Sequence, residues 1–195
     1  MGNLNNNNSM SIIAAEAVIL EILEHHIHTQ GKDIKTNFLI YNKSMKRRTE
    51  IDGFASQGFD EFVGATAIEI KLYRNSKSIK SKLNDILQRY CSINSFEDTP
   101  IIDNLLIIIT TPLTKEEKEL LESAYDDLPF KYSIWDSSDL QLLFNKYPEL
   151  INEMETNPSK VFVKQLFKAG LNSSRDEWKV KRECMLSNTI VYLLL

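Results

Sequence analysis

Cysteine, proline and glycine are scarce in this sequence, and no long apolar run is present. The 195 residues include 2 cysteines, 5 prolines and 6 glycines. Cys91 and Cys184 lie far apart without cysteine or histidine partners at metal-ligand spacing, which argues against a disulfide framework and a zinc knuckle. No apolar run approaches the ~20 residues that a membrane-spanning helix needs. Residues 1–11 lack the basic start and apolar core of a signal peptide, so we expect a cytoplasmic protein without membrane attachment.

The composition predicts one globular domain with short appendages. Apolar residues make up 43% of the chain and charged residues 26%, with a net charge of −4. Residues 1–11, with an asparagine run, are expected to be a disordered lead-in. We expect the compact domain over residues 12–150, because the sequence then becomes polar and Pro158 interrupts it. Residues 151–195 are expected to form a helical linker, with a helix over 161–170, or the start of a following domain.

Apolar periodicity predicts the element order α-β-β-β-α-β-α-β-α. The run 105–110 is apolar throughout, which is typical of a central strand covered on both faces. Thr114 and Glu117 form a capping box for the helix after it. Alternation of the later strands with helices predicts an α/β fold with a mixed central sheet flanked by helices. The predicted elements are, in order, residues 12–29, 36–42, 50–55, 62–73, 78–92, 105–110, 115–125, 131–135 and 136–147.

The third predicted strand carries two charged residues on one face. Side chains alternate across a strand, so Glu69 and Lys71 share a face, while the apolar residues 68, 70 and 72 point the other way and are expected to enter the core. Asp52 lies on the preceding strand. Antiparallel pairing through a turn at residues 56–61 would bring Asp52 beside Glu69 and Lys71.

Two carboxylates and an ammonium in one cluster suit phosphodiester cleavage. Mg²⁺ prefers a few carboxylate oxygens plus water, and Asp52 and Glu69 are the candidate ligands. The backbone carbonyl of Ile70 is a further candidate ligand. Lys71 can orient or help to deprotonate the attacking water and can offset negative charge at phosphorus.

Asp52, 16 intervening residues and then Glu69-Ile70-Lys71 resemble the motif of the PD-(D/E)XK nucleases. The element order is similar to that family's restriction-endonuclease-like core, and the resemblance covers residues 12–147. Within that family, the pattern is most similar to the Mrr-like domains. This resemblance implies that a glutamate of the first helix joins the metal site. Glu16 is that candidate, because it lies on the apolar stripe of its helix, where a carboxylate is costly without a cation. Ile51 replaces the motif's proline.

Positive charge flanks the proposed site even though the whole chain is acidic. Residues 1–96 carry 12 basic and 10 acidic side chains, whereas residues 97–155 carry 4 and 14. Basic clusters bind phosphates without reading bases, so little sequence specificity is expected. A basic solvated surface is the alternative interpretation. The candidate nucleic-acid-binding residues are Lys46, Arg47, Arg48, Arg74, Lys77, Lys80 and Gln88.

These observations predict a Mg²⁺-dependent endonuclease domain, with DNA favoured over RNA and with Mn²⁺ able to substitute. Residues 132–148 are similar to the end of nuclease domains fused to antiviral STAND-type NTPases. That likeness implies an effector of an anti-phage or restriction system, part of a larger chain and a homo-oligomer. One alternative is a catalytically silent copy of the fold that binds nucleic acid or oligomerises. Another is an unrelated α/β interaction domain, in which Asp52 and Glu69 would lie far apart.

Overall fold

The computed structural model describes residues 4–42, 46–72, 76–96 and 99–150. The chain divides into two compact units. Leu20–Asp136 form one, called the sheet unit below because it contains every strand described here. The other combines Met1–Ile19 with Ser137–Leu195. The predicted helix over residues 161–170 lies outside the described residues, as does the rest of residues 151–195.

The described helices and strands follow the predicted order, with one hairpin added. The order confirms the predicted α/β class. Among the described residues, no helix combines the length and apolar character required to cross a lipid bilayer. The elements are α1 Leu4–Thr29, β1 Lys35–Asn42, β2 Arg47–Ala55, β3 Gly58–Phe59, β4 Phe62–Val63, β5 Thr66–Lys71, α2 Ser76–Asn94, β6 Asn104–Ile109, α3 Lys115–Glu122, β7 Lys131–Trp135 and α4 Ser137–Lys146.

Five strands form one mixed sheet in the order β1-β2-β5-β6-β7. β1, β2 and β5 pair antiparallel, whereas β5, β6 and β7 run parallel. The parallel neighbours are joined through α2 and α3, since a parallel connection needs a crossover. β5 is therefore the strand at which the sheet changes from antiparallel to parallel pairing.

The main apolar core lies between α2 and one face of the sheet. Ile79, Leu83 and Leu87 of α2 are buried in one cluster with Leu105 and Ile107 of β6. The opposite face of β6 is equally covered, since its remaining apolar residues are also fully buried. The predicted two-sided burial of this strand is confirmed.

The structure differs from the predicted element bounds mainly around two glycines. The predicted third strand splits, because residues 58–63 fold into the β3–β4 hairpin and β5 begins only at Thr66. Gly58 has a φ of +66°, and a Cβ there would lie 1.9 Å from the Phe62 carbonyl oxygen. Gly64 has a φ of +94°, and a Cβ there would lie 2.4 Å from Asp103. Both turns therefore require glycine.

Two further elements begin earlier than expected. α1 begins at Leu4, so residues 4–11, expected to be a disordered lead-in, are helical. Residues 4–11 contain no proline or glycine, and extending an existing helix costs far less than starting one. β2 begins at Arg47, so Arg47 and Arg48 belong to a strand and not to the loop before it.

Candidate active site

The pairing of β2 with β5 brings Asp52 to the middle of β5. Gly53 pairs with Ile68 and Phe54 pairs with Ala67, so Asp52 is next in register to Glu69. The Asp52 Oδ2 atom accepts a hydrogen bond of 2.6 Å from the backbone N–H of Ile70. Antiparallel pairing thus places Asp52 beside the Glu69–Lys71 segment, as the strand pattern predicted.

Glu69 is buried on the face of β5 that α2 covers. Its side chain is only 1% exposed. The Arg89 guanidinium pairs with the Oε2 atom, and the Tyr90 hydroxyl donates to the same atom at 2.8 Å. Lys71 Nζ lies 2.5 Å from Oε1 and donates to the Ile70 carbonyl oxygen at 3.2 Å. Three side chains from β5 and α2 therefore converge on one carboxylate.

The expectation that only the apolar residues of β5 enter the core is wrong for Glu69. Ile68 and Ile70 are buried as predicted, but Glu69 is buried on the opposite face, next to Ala67 of the main apolar cluster. The reason is that both faces of β5 are covered. A carboxylate at such a position persists only with charged or hydrogen-bonding partners, which Lys71 and α2 supply.

Arg89 and Tyr90 are the site residues that the strand pattern did not reveal. Tyr90 lies on the apolar stripe of α2, a pattern that indicates a core residue, and Arg89 is one of several basic residues on that helix. Tyr90 is indeed buried, but its hydroxyl needs a partner there and finds Glu69. The sequence signal that could have revealed them is a tyrosine on the apolar stripe of α2, directly after an arginine at the border of that stripe.

The charges in the cluster shift one another's pKa values. Burial and the neighbouring Glu69 carboxylate raise the pKa of Asp52, although the Ile70 N–H, Lys71 and Arg89 oppose the rise. Burial lowers the pKa of Arg89, but Glu69 and Tyr90 together outweigh that effect, and the net pKa is raised. Burial and Glu69 raise the pKa of Tyr90 well above its usual value. Tyr90 is therefore a neutral hydrogen-bond donor at neutral pH.

The donor set fits a hard divalent cation. Asp52, Glu69 and the Ile70 carbonyl offer only oxygen atoms, the ligands that Mg²⁺ prefers. The Glu69 Oε1 atom is buried, and its close partner among the described residues is the Lys71 ammonium at 2.5 Å. The described residues contain no group of three or more histidine, cysteine, aspartate or glutamate side chains close enough to hold a metal ion. The fit therefore rests on two carboxylates and one backbone carbonyl.

Glu16, the third predicted carboxylate, lies in the helical part of the other compact unit. Its side chain is half-buried in α1, as its place on the apolar stripe predicts. The role of Glu16 as a metal ligand stays a prediction.

The predicted nucleic-acid-binding residues are mostly exposed. Lys46, Arg48, Lys77 and Gln88 present exposed side chains. Lys80 is also exposed and pairs with Glu117 at 3.2 Å, an ion pair of a kind that contributes little to stability. For Arg47 only the backbone, in β2, is described, and Arg74 lies outside the described residues.

A second polar cluster joins the end of α1 to the β3–β4 hairpin. His26 is buried, and its Nε2 atom lies 2.8 Å from Asp60 Oδ2. Gln30 donates to Asp60 Oδ1 at 3.0 Å and accepts from the Asp60 backbone N–H at the same distance. Asp60 has a φ of +45°, a rare conformation that these bonds help to hold. The cluster fixes the turn of the hairpin.

The chain was compared with known protein families and with curated proteins. No protein-family profile matches the chain. No curated protein matches it either. Function is therefore inferred from the residues and contacts of this chain alone.

Proposed function

We propose that the chain is a Mg²⁺-dependent endonuclease domain with a restriction-endonuclease-like core. One observation carries the proposal. Asp52 and Glu69 meet on adjacent antiparallel strands, where Asp52 accepts a 2.6 Å hydrogen bond from the Ile70 N–H, and Lys71 lies 2.5 Å from Glu69. Burial and the Glu69 carboxylate raise the pKa of Asp52, and a perturbed carboxylate beside an ammonium is typical of catalytic sites.

Asp52, Glu69 and the Ile70 carbonyl would hold the cation. When bound, the cation offsets negative charge at the scissile phosphate and makes hydroxide available near neutral pH. Lys71 is one-third exposed, so its Nζ atom can reach water and substrate as well as Glu69. There it orients the attacking water through a hydrogen bond and balances the charge that develops at phosphorus.

The substrate we propose is DNA, contacted mainly through its backbone. The exposed side chains of Lys46, Arg48 and Lys77 suit phosphate contacts, which provide affinity without sequence readout. Mn²⁺ is expected to replace Mg²⁺, because both accept carboxylate and water oxygens. In the wider setting, we propose a cytoplasmic effector of an anti-phage or restriction system, acting as a homo-oligomer and joined to further domains such as an NTPase.

Mn²⁺ binding and plasmid nicking test the proposal on the whole chain. Isothermal titration should detect Mn²⁺ binding to the wild type and to Asp33→Asn, a matched control whose carboxylate is 97% exposed. Asp52→Asn should lose that binding. Lys71→Ala should keep Mn²⁺ binding but nick plasmid about 10²-fold more slowly. Equal nicking by the wild type and Lys71→Ala would overturn the catalytic assignment.

A second candidate function is a catalytically silent module that binds nucleic acid or oligomerises. One observation favours it: the Glu69 carboxylate already has Arg89, Lys71 and Tyr90 as partners. Two carboxylates face two cations, so the cluster is electrically balanced without a metal ion. A folded wild type that binds DNA but neither binds Mn²⁺ nor nicks plasmid would establish this alternative.

A further inference from the structure

Two consecutive residues of α2 act on the same oxygen of Glu69. The Arg89 guanidinium and the Tyr90 hydroxyl both donate to Oε2. Tyr90 is fully buried, whereas the Arg89 side chain is 39% exposed. Neutral Tyr90 is therefore the fixed partner of Glu69, and Arg89 is the partner that solvent or a ligand can reach.

Arg89 supplies the charge that a divalent cation would otherwise supply. Without Arg89, the carboxylates of Asp52 and Glu69 would outnumber the single ammonium of Lys71. With Arg89, the cluster is neutral, and a cation that binds there must enter next to two positive groups. A carboxylate oxygen that already accepts from a guanidinium is also a poorer metal ligand, because the two compete for the same lone pairs.

The Arg89 guanidinium also has unused capacity for a ligand. Its Nε atom is buried and has no hydrogen-bond partner among the described residues. A guanidinium presents five donors in a planar fork that matches phosphate oxygens, and a phosphodiester is a strong competitor for it. If the guanidinium turns toward a phosphate, the Tyr90 hydroxyl still holds Glu69 in place.

We propose that Arg89 is a positioning residue that couples phosphate contact to metal binding at Glu69. This inference rests on the endonuclease function proposed above. Without nucleic acid, Arg89 occupies Glu69 and keeps cation affinity low. When a nucleic-acid phosphate draws the guanidinium away, Oε2 becomes available and the cluster regains the negative charge that favours Mg²⁺. The coupling is reciprocal, so the cation also raises affinity for the phosphate.

The test compares Mn²⁺ affinity with and without DNA. Isothermal titration is run on the whole chain, alone and with a short phosphorothioate duplex that resists cleavage, after subtraction of the heat of Mn²⁺ with duplex alone. The variants are Arg89→Gln and Arg89→Lys, with Lys131→Gln as the control that removes an exposed charge elsewhere in the sheet unit. Circular dichroism confirms that each variant is folded.

Without DNA, Arg89→Gln should bind Mn²⁺ about tenfold more tightly than the wild type, and Lys131→Gln should match the wild type. Arg89→Lys keeps the charge and should stay close to the wild type. DNA should raise the Mn²⁺ affinity of the wild type about tenfold but leave that of Arg89→Gln nearly unchanged. An amide at position 89 can still donate to Glu69, so the fold is expected to survive.

Two results would overturn the proposal, and they can be told apart from failure of the endonuclease function. If the wild type binds Mn²⁺ and folded Arg89→Gln binds it equally or more weakly, Arg89 does not oppose the cation, although the metal site stands. If DNA raises affinity equally in both proteins, the coupling does not pass through Arg89. If no folded variant binds Mn²⁺ with or without DNA, the coupling and the endonuclease function both fail.

Discussion

β5 and β6 are neighbouring strands at the same depth, yet their chemistry differs. They pair in parallel, with Glu69 opposite Ile107 and Lys71 opposite Ile109. Both faces of both strands are covered, and Glu69 and Ile107 are almost equally buried. From Leu105 to Ile109, β6 buries only apolar side chains, whereas β5 buries a carboxylate and surrounds it with Lys71, Arg89 and Tyr90.

The difference separates a position that stabilises the fold from one that is suited to chemistry. Burying an apolar side chain contributes directly to stability, whereas a buried ion pair is often no better than an apolar replacement of the same volume. The Glu69 cluster is therefore poorly explained by stability alone. Two neighbouring carboxylates offer the oxygen ligands that a hard cation prefers, which is why the function we propose is placed on β5 and not on β6.

The largest expected effect is a loss of stability when an apolar residue of β6 is truncated. Ile107→Ala should lower the free energy of unfolding by about 2–5 kcal/mol, because it removes buried methyl groups and leaves a cavity beside α2. Guanidinium denaturation measures this loss. Ile101→Ala, at a 71% exposed position, is the control and should change stability by less than about 0.5 kcal/mol. Similar losses for the two variants would show that β6 is not the stabilising strand.

A smaller effect is expected from the hydroxyl that supports β5. Tyr90→Phe removes the 2.8 Å hydrogen bond to Glu69 and should cost about 1–3 kcal/mol, since the acceptor is a buried carboxylate. Tyr132→Phe is a matched control, because its hydroxyl donates at 2.6 Å to a neutral carbonyl, that of Leu121. Denaturation curves should show the larger loss for Tyr90→Phe. The reverse order would mean that Glu69 does not depend on Tyr90.

The smallest effect is the pH dependence contributed by Asp52. Its folded-state pKa is raised above the ordinary value of 3.8, so the folded chain holds this proton more tightly than the unfolded chain does. As the pH rises from 3.8 through the raised pKa, Asp52 therefore lowers the free energy of unfolding. In metal-free buffer, the stability difference between wild type and Asp52→Asn should fall over this range. A difference that rises with pH would mean that the attraction of Lys71 and Arg89 for the Asp52 carboxylate outweighs the effects of burial and Glu69.

Local patterns predicted the parts of the fold that depend on neighbouring residues. The uninterrupted apolar run predicted β6, and β7 has the predicted bounds. The capping box of Thr114 and Glu117 is present, with both of its hydrogen bonds, because it involves residues only three apart. The β3–β4 hairpin was not predicted, because the need for glycine at positions 58 and 64 comes from the close approach of Phe62 and Asp103, which the strand pattern does not show.

The candidate site likewise has one part that the local sequence determined and one part that the tertiary structure decided. By itself, the sequence determined that Glu69 and Lys71 share a face of one strand and that Asp52 stands on the strand before it, because alternation and chain order are local properties. Only the tertiary structure decided that α2 covers that face and joins Arg89 and Tyr90 to Glu69 across about 20 residues of chain. The physical reason is that burial and charge pairing depend on which surfaces meet, and no local pattern specifies the partner of a buried carboxylate.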